Sequence, residues 1–113
     1  MNTQGKVWGI TGCLIRRDNF EVHRIEAQQG GYCSKHKHAH KYNMFYVEEG
    51  ALEILIWNGK HADRTVLHAG QYATVPPTVY HRFRALESTL AFEIYWVALE
   101  GEDIERDDAG GME

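Results

Sequence analysis

Apolar and polar residues alternate in short runs along the chain, and glycine, proline, asparagine or aspartate separates one run from the next. Alternation with a period of two is typical of strands that bury one face, and no stretch of about 12 residues has the 3.6-residue period of a helix. The pattern therefore predicts an all-β chain of ten strands. They cover residues 7–9, 11–16, 20–27, 32–40, 43–48, 51–57, 64–67, 72–75, 81–85 and 89–99.

The strongest turn signal is Asn58-Gly59, which follows the most apolar run of the chain. Both central residues of a type I′ turn need a positive φ, so this dipeptide predicts a tight hairpin. The run before it, residues 52–57, is apolar at every position except Glu53. Such a strand is covered on both faces, as in a sandwich or at a subunit contact.

The length sets the scale of the fold. The chain has 113 residues, of which 43% are apolar, and this is enough for one domain and too short for two. Ten short strands in about 100 residues fit a sandwich or a closed barrel. Because small barrels can hold one small ligand inside, a small-molecule substrate is the expected partner.

Charge is unevenly distributed, although the whole chain has a net charge of only −4. Residues 100–113 contain seven acidic residues and a single basic one, Arg106. An acidic composition with glycines predicts a loosely packed tail after a barrel that ends at residue 99. The rest of the chain lacks the basic stripe of a nucleic-acid-binding protein, so no nucleic-acid partner is expected.

The sequence contains few signals of location. No apolar run approaches the ~18 residues of a membrane span, and residues 1–6 lack the apolar stretch of a signal peptide. The two cysteines, Cys13 and Cys33, form no disulfide framework and fit a reducing compartment. We therefore expect a cytoplasmic protein with no membrane partner.

Three of the seven histidines, His36, His38 and His40, lie close together in the chain. On a strand these positions share one face, so the three imidazoles would point the same way. Imidazoles at i and i+2 stand about 7 Å apart at Cα, and their nitrogens can converge on one metal ion. The alternative is a histidine-rich surface strand without a site.

A distant histidine, His81, strengthens the metal-site interpretation. It follows the turn Pro76-Pro77-Thr78 and begins a predicted strand. Together with His36 and His38 it would supply three ligands on one side of an ion. The remaining coordination positions would be open to water or substrate, which is the form of a catalytic metal site.

The stretches around these histidines resemble the two motifs of the cupin superfamily. The first reads Gly30-x5-His36-x-His38-x4-Asn43-x6-Gly50, and the second reads Gly70-x5-Pro76-x-Thr78-x2-His81. The resemblance covers roughly residues 6–99 and implies the cupin double-stranded β-helix, a jelly-roll β-barrel, as a single domain over residues 1–99. The acidic C-terminal tail at 100–113 follows it. Cupins have glutamate where Asn43 stands, glycine at Thr78 and asparagine at Ala85.

A narrower similarity connects the chain with the type II mannose-6-phosphate isomerase-like cupins. Those proteins begin with Arg/Lys-Pro-Trp-Gly before a strand rich in Lys, Arg and Ile, which residues 6–9 and 20–25 resemble. Residues 76–82 resemble their Pro-Ala-Gly-x-Pro-His-Arg turn, and residues 100–106 resemble their acidic end. This similarity is divergent and indicates ancestry more than substrate.

The cupin resemblance makes His36, His38 and His81 metal ligands. Asn43 replaces the usual carboxylate and offers only a neutral carbonyl oxygen. His40 is the less favoured choice of fourth ligand. The expected cofactor is a divalent transition metal (Zn, Ni, Fe or Mn), and the missing carboxylate disfavours Mn²⁺. The alternative is that Asn43 marks a decayed site.

No catalytic base can be identified from the sequence, and Glu93 and Tyr95 are the candidates. Strand parity leaves open whether these two residues or Leu90 and Phe92 face the interior. We favour a solvent-facing Glu93. If it were buried instead, its pKa would rise and it would suit general base catalysis.

Alternation along the other strands predicts where the remaining polar residues lie. Tyr72 and Thr74 are expected to line the cavity, and Cys33 is expected to stay outside the site. Surface positions are predicted for His23, His61, His68, Arg82 and Arg84.

An outer apolar patch is predicted from Met44, Tyr46, Leu55 and Trp57, because Met44 and Tyr46 have the opposite parity to Asn43. Apolar patches of this kind usually mark a partner surface. We therefore expect a homodimer.

Three function classes remain. The first is a metal-dependent enzyme acting on a small molecule, by isomerisation or epimerisation of a sugar or sugar phosphate, as the mannose-6-phosphate isomerase-like resemblance implies. The second is a three-histidine Fe(II) dioxygenase, since such sites exist among small cupins. The third is a non-catalytic small-molecule-binding cupin. The fold cannot select among them, because function depends on the site.

Overall fold

The computed structural model describes residues 2–97, 109 and 112. Within that part of the chain every regular element is a strand, which confirms the expected all-β class and single small domain. There are nine strands: β1 (Asn2–Lys6), β2 (Gly9–Arg16), β3 (Phe20–Ala27), β4 (Tyr42–Glu49), β5 (Ala51–Asn58), β6 (His61–His68), β7 (Tyr72–Val75), β8 (His81–Ala85) and β9 (Thr89–Trp96). The predicted tail at 100–113 lies outside the described residues except for positions 109 and 112.

The strands form two antiparallel sheets. One has six strands in the order β1-β2-β3-β9-β4-β7, and the other has three in the order β6-β5-β8. Fully buried side chains from both sheets, including Ile25 and Phe45 of the first and Leu52 and Ile54 of the second, join in one apolar cluster. The two sheets therefore pack face to face around a common interior. Among the described residues no helix is long and apolar enough to cross a membrane.

The predicted hairpin after β5 forms, but its turn lies one residue later than expected. Asn58 pairs with His61, so Gly59 and Lys60 are the two central residues. Gly59 has a φ of +68°, whereas Lys60 does not have a positive φ. A positive φ at the first central position alone matches a type II′ turn rather than the predicted type I′.

Two predicted strands are wrong. Residues 7 and 8 form the turn between β1 and β2. Residues 32–40 form no continuous ladder with β8 and pair with it at two isolated bridges, Tyr32 with Arg84 and His36 with His81. Beyond these bridges the backbone has other partners, since the carbonyl of His38 accepts from the Thr78 amide at 2.7 Å. A loop, and not strand alternation, therefore brings the histidines to the interior.

The predicted apolar patch is also wrong as a single surface. Met44 and Tyr46 are half-buried on the outer side of β4, in the six-stranded sheet, while Leu55 and Trp57 are half-buried on β5, in the three-stranded sheet. Because the sheets pack face to face, their outer faces point in opposite directions. The homodimer stays a prediction, without this patch to support it.

Candidate metal centre

His36 and His81 are joined through their backbones before their side chains meet. The amide of each donates to the carbonyl of the other, at 3.1 and 2.8 Å. This bridge places both imidazoles on the inner side of the three-stranded sheet, with ring centroids 4.5 Å apart. Two distant segments of the chain are thus fixed side by side.

Backbone carbonyls determine which ring nitrogen of His36 and of His81 is free to bind a metal. Nδ1 of His36 lies 2.7 Å from the carbonyl oxygen of Ser34, and Nδ1 of His81 lies 3.0 Å from that of Val79. A carbonyl only accepts, so both Nδ1 atoms carry the proton and donate. The lone pairs are therefore on Nε2 of each ring, as in metal-binding histidines whose other nitrogen donates to a carbonyl.

His38 completes the cluster. Its ring centroid lies 5.1 Å from that of His36 and 5.5 Å from that of His81. Its Nε2 is buried and has no hydrogen-bond partner among the residues that the structure describes. One nitrogen from each of the three rings lies within 4.8 Å of the others. A buried orphan nitrogen beside two carbonyl-oriented imidazoles is the donor set that a divalent transition metal requires.

Burial keeps two imidazoles of the cluster, those of His38 and His81, in the neutral form. Burial, and after it the neighbouring rings of His36 and His81, lower the pKa of His38 to about 4. Burial also lowers the pKa of His81. Only a neutral imidazole can donate its lone pair to a metal, so near neutral pH these rings are in the ligand form.

Asn43 lies against the cluster. It is fully buried, and its Nδ2 lies 3.3 Å from Nε2 of His81 and donates to Oε2 of Glu93 at 3.2 Å. Its Oδ1 is buried without a partner. Its role as a fourth ligand stays a prediction. His40, the less favoured choice, is exposed and does not belong to the group of three.

Glu93 is buried, so the prediction that it faces solvent is wrong. It is 8% exposed, because β9 directs Thr89, Ala91 and Glu93 inward. β9 lies between β3 and β4 in the six-stranded sheet, so alternation alone did not reveal which face is interior. The apolar outward residues Leu90, Phe92 and Ile94 are half-buried on the other face.

Tyr95 and Glu93 form one hydrogen-bonded unit. The hydroxyl of Tyr95 donates to Oε2 of Glu93, which also accepts from Asn43. Burial raises the pKa of Glu93. Burial and the adjacent Glu93 carboxylate raise the pKa of Tyr95. The Tyr95 ring lies 5.1 Å from that of His38, so this unit is adjacent to the imidazole cluster.

His23 was predicted at the surface, and the structure places it in the interior wall. It is half-buried, pairs in register with Glu93 across β3 and β9, and lies edge-on to Tyr95. Its Nε2 is 3.1 Å from Oε2 of Glu21, and this bond lowers the pKa of Glu21. The pairing of His23 with the buried Glu93 shows that His23 faces the interior, whereas the alternation of residues within β3 does not show it.

A cavity of about 700 Å³ opens beside the cluster. His36, Glu93 and Tyr95 line its inner part, and Cys33 lines it too, although we expected that residue outside the site. Burial raises the pKa of Cys33 to about 11. Sequence reasoning missed several other lining residues, namely Lys6, Trp8, Thr11, Cys13, Arg16, Ser34 and Phe83.

Tyr72 and Thr74 were expected in the cavity and are instead exposed. β7 is the edge strand of the six-stranded sheet, and Ala73 and Val75 are the residues that it turns toward the interior. Arg82 and Arg84 lie on the face opposite His81, as predicted, and His61 and His68 are exposed, also as predicted.

Comparisons with known proteins agree with this architecture. Residues 23–98 match the protein family described as "Cupin domain". A mannose-1-phosphate guanylyltransferase of Sinorhizobium fredii is 32% identical over 76 residues. That match covers 66% of this chain and only 14% of the relative, so the chain spans a small part of that protein.

Solved structures share the fold at low sequence identity. KdgF from Halomonas sp. superposes with a TM-score of 0.76 at 17% identity, covering 88% of this chain and 89% of that one. An RmlC-like cupin from Shewanella frigidimarina gives 0.74 at 22% identity, covering 88% and 86%. Oxalate decarboxylase of Bacillus subtilis, a protein with Mn(II) centres, gives 0.75 at 16% identity, covering 85% and 27%.

Proposed function

The chain belongs to the cupin domain family, and from that premise we propose that it is a metal-dependent enzyme acting on a small molecule inside the barrel. One observation carries the proposal. Three imidazoles from two distant segments converge beside a cavity of about 700 Å³, and a buried carboxyl group lies next to them. The cluster supplies ligands, the cavity supplies space for a substrate, and Glu93 supplies a site for a proton.

The three imidazoles would hold the metal, and the carbonyl partners of His36 and His81 would keep Nε2 of these two rings directed at it. With no carboxylate among these donors, Zn²⁺, Ni²⁺ or Fe²⁺ is favoured over harder cations, Mn²⁺ among them. When bound, the ion supplies a Lewis acid that polarises a substrate oxygen. Asn43 would orient Glu93, to which its amide donates, and Nε2 of His81 would exchange its contact with that amide for the metal.

Glu93 is the residue that we assign to proton transfer. Its carboxyl lines the cavity, and Oε2 accepts hydrogen bonds from Tyr95 and Asn43. Burial raises the pKa of this carboxyl, which makes it a stronger base than an exposed carboxylate and suits it to general acid–base catalysis. Tyr95 acts as a positioning residue that fixes the carboxyl against the cavity wall.

The substrate class that we propose is a sugar or sugar phosphate, changed by isomerisation or epimerisation. Two cations, Lys6 and Arg16, line the same cavity as Glu93 and suit a phosphate or carboxylate group. The similarity to mannose-6-phosphate isomerase-like cupins and to part of a mannose-1-phosphate guanylyltransferase supports sugar chemistry. Isomerisation needs a proton removed from one carbon and returned to the adjacent carbon, which a single carboxyl group can do. Epimerisation needs the proton returned to the opposite face of the same carbon and would require a second proton donor.

A three-histidine Fe(II) dioxygenase is the second candidate. The specific observation in its favour is that no carboxylate belongs to the group of three donors. Iron in the purified protein together with substrate-dependent oxygen consumption would favour this class. Zinc or nickel without oxygen consumption would favour the isomerase.

The first test is the metal content of protein purified without chelator. We expect about one ion per chain in the unaltered protein, almost none in His38→Ala, and an unchanged amount in His61→Ala. His61 is a matched control because its side chain is 80% exposed on β6 and lies outside the cluster. A metal-free unaltered protein, or equal metal in His38→Ala, would contradict the proposal.

The second test measures catalysis directly. Metal-loaded protein is incubated in deuterated water with a panel of aldose and ketose phosphates, and deuterium incorporation at carbon is followed by NMR. Glu93→Gln should slow incorporation by ~100-fold or more while keeping its metal, since general acid–base catalysis contributes on that scale. Incorporation at the unaltered rate in Glu93→Gln would remove its assigned role.

A further inference from the structure

A row of alternating cations and aromatic rings crosses the outer face of the three-stranded sheet, away from the cavity. Lys37 lies over Tyr80, Lys35 over both Tyr80 and Trp57, Arg82 over both Trp57 and Tyr32, and Arg84 over Tyr32. The six distances from cation to ring centroid lie between 4.4 and 5.9 Å. We call these seven residues the cation–ring row.

Strand alternation determines which way the row faces. On β8, His81 and Phe83 are buried, so Arg82 and Arg84 between and beyond them point outward. Tyr32 pairs with Arg84 through an isolated bridge, which carries the row onto the segment beside β8. Tyr32 is 52% exposed and Tyr80 is 43% exposed. The row is therefore an accessible surface on the side opposite the metal cluster.

The four cations of the row have no acidic partner in the described part of the chain. None of them has a carboxylate oxygen within 4.0 Å. Six other basic side chains do have one, namely Arg16, His23, Arg24, Lys41, His61 and Arg64. The neighbouring acid, Glu53, pairs with Arg64 instead. Nε of Arg82 is in addition buried without a hydrogen-bond partner. Buried donors are normally paired, so this one lacks an acceptor.

The spacing of the cations indicates the shape of a ligand. Lys35 and Lys37, like Arg82 and Arg84, are separated by two positions. Arg82 and Arg84 lie on a strand, where this separation is about 7 Å. Side chains on one face of an extended peptide repeat at the same interval. A peptide with carboxylates at alternate positions would therefore match this pair.

We propose that the cation–ring row is a docking surface for an extended acidic polypeptide segment of a partner protein. Carboxylates would pair with the four cations and supply the acceptor that Nε of Arg82 lacks, which is a charge-assisted bond. Single-stranded nucleic acid suits the row less well. Its bases need aromatic rings to stack on, and each ring here already contacts two of the chain's own cations.

The test measures binding of a fluorescently labelled oligoglutamate peptide to the full chain at low ionic strength, by anisotropy. Two double variants remove charge from either end of the row: Arg82→Gln with Arg84→Gln, and Lys35→Gln with Lys37→Gln. The control, Arg17→Gln with Lys60→Gln, removes the same charge from exposed residues outside the row. Metal content and circular dichroism check that each variant is folded.

We expect each row variant to weaken peptide binding about fivefold or more, since each variant removes two surface ion pairs. The control should stay within about twofold, and added salt should weaken binding. An oligothymidylate of equal charge should bind more weakly than the peptide. Absence of peptide binding, equal weakening in the control, or tighter binding of the oligothymidylate would each overturn the proposal.

Discussion

The two ends of the barrel interior are built from the same strands and have opposite chemistry. On β3, Ile25 is fully buried in the apolar cluster, and two residues away His23 lines the cavity. On β9, Ala91 is fully buried and Glu93 follows it in the cavity wall. The same change occurs on β8, where His81 comes two residues before the buried Phe83, and on β4, where Asn43 comes before the buried Phe45 and Val47.

The apolar end of the interior stabilises the fold, and the polar end carries the groups that can bind a ligand. Removing apolar side chains from water stabilises the fold by roughly 25 cal/mol per Å² of buried area, so the apolar end holds the sheets together. Burying a carboxyl, an unpaired amide oxygen and three imidazoles costs free energy unless partners compensate. The polar end is thus tolerated because the apolar end holds the strands in register, and its incompletely paired groups are available to a ligand.

The largest expected effect is at the apolar end. Ile25→Ala should lower the free energy of unfolding by about 2–5 kcal/mol, the range for removing a buried aliphatic side chain. His23→Ala, two residues along the same strand, should lower it by about 1 kcal/mol, the value of one hydrogen bond. Urea unfolding of both variants measures the contrast. Similar losses for the two variants would show that the ends do not differ in this way.

At the polar end we expect a smaller effect, in which a substitution raises the free energy of unfolding instead of lowering it. Burial raises the pKa of Glu93 above 4.5, so the folded protein keeps this proton at pH values where the unfolded chain has lost it. The stabilisation that depends on this proton is therefore complete below pH 4.5 and is lost as pH rises toward the folded pKa. Glu93→Gln removes this dependence, so we expect the variant to be more stable than the unaltered chain at pH 7.

The measurement is urea unfolding of chelated, metal-free protein across a pH series. The difference in unfolding free energy between Glu93→Gln and the unaltered chain should grow from pH 4 to pH 7. Glu87→Gln serves as the control, because Glu87 is exposed in the turn before β9. A difference that stays constant with pH would mean that the carboxyl of Glu93 titrates normally.

The smallest effect concerns backbone strain in the turn that leads to His81. Thr78 has a φ of +70°, which is unfavourable for a β-branched residue, and cupins have glycine at this position. Its amide donates to His38, so the turn also holds a residue of the cluster. Thr78→Gly should raise the free energy of unfolding by about 1 kcal/mol, less the entropy that glycine loses on folding.

Thermal unfolding of Thr78→Gly measures this gain, and its metal content shows whether the cluster is kept. Ser88→Gly, at an exposed turn position without a positive φ, is the control and should not stabilise the protein. A Thr78→Gly variant less stable than the unaltered chain would mean that the threonine side chain contributes more than its strain costs.

Much of the fold could be predicted because strand patterns and turns are local. β3, β7 and β8 have the predicted bounds, and β5 and its hairpin were predicted to within a residue. The segment 32–40 was predicted wrongly because its hydrogen bonds go to distant residues, as in the bond from Thr78 to His38. Local alternation contains no information about such partners.

The sequence by itself determined the β architecture and the identity of the three imidazoles, since the two motifs that resemble those of cupins, and the turn before His81, are properties of the chain. Tertiary structure alone decided that Glu93 and His23 face the cavity, while Tyr72 and Thr74 do not. The physical reason is that a strand has two faces, and only the position of β3, β7 and β9 in the sheet determines which face meets the interior.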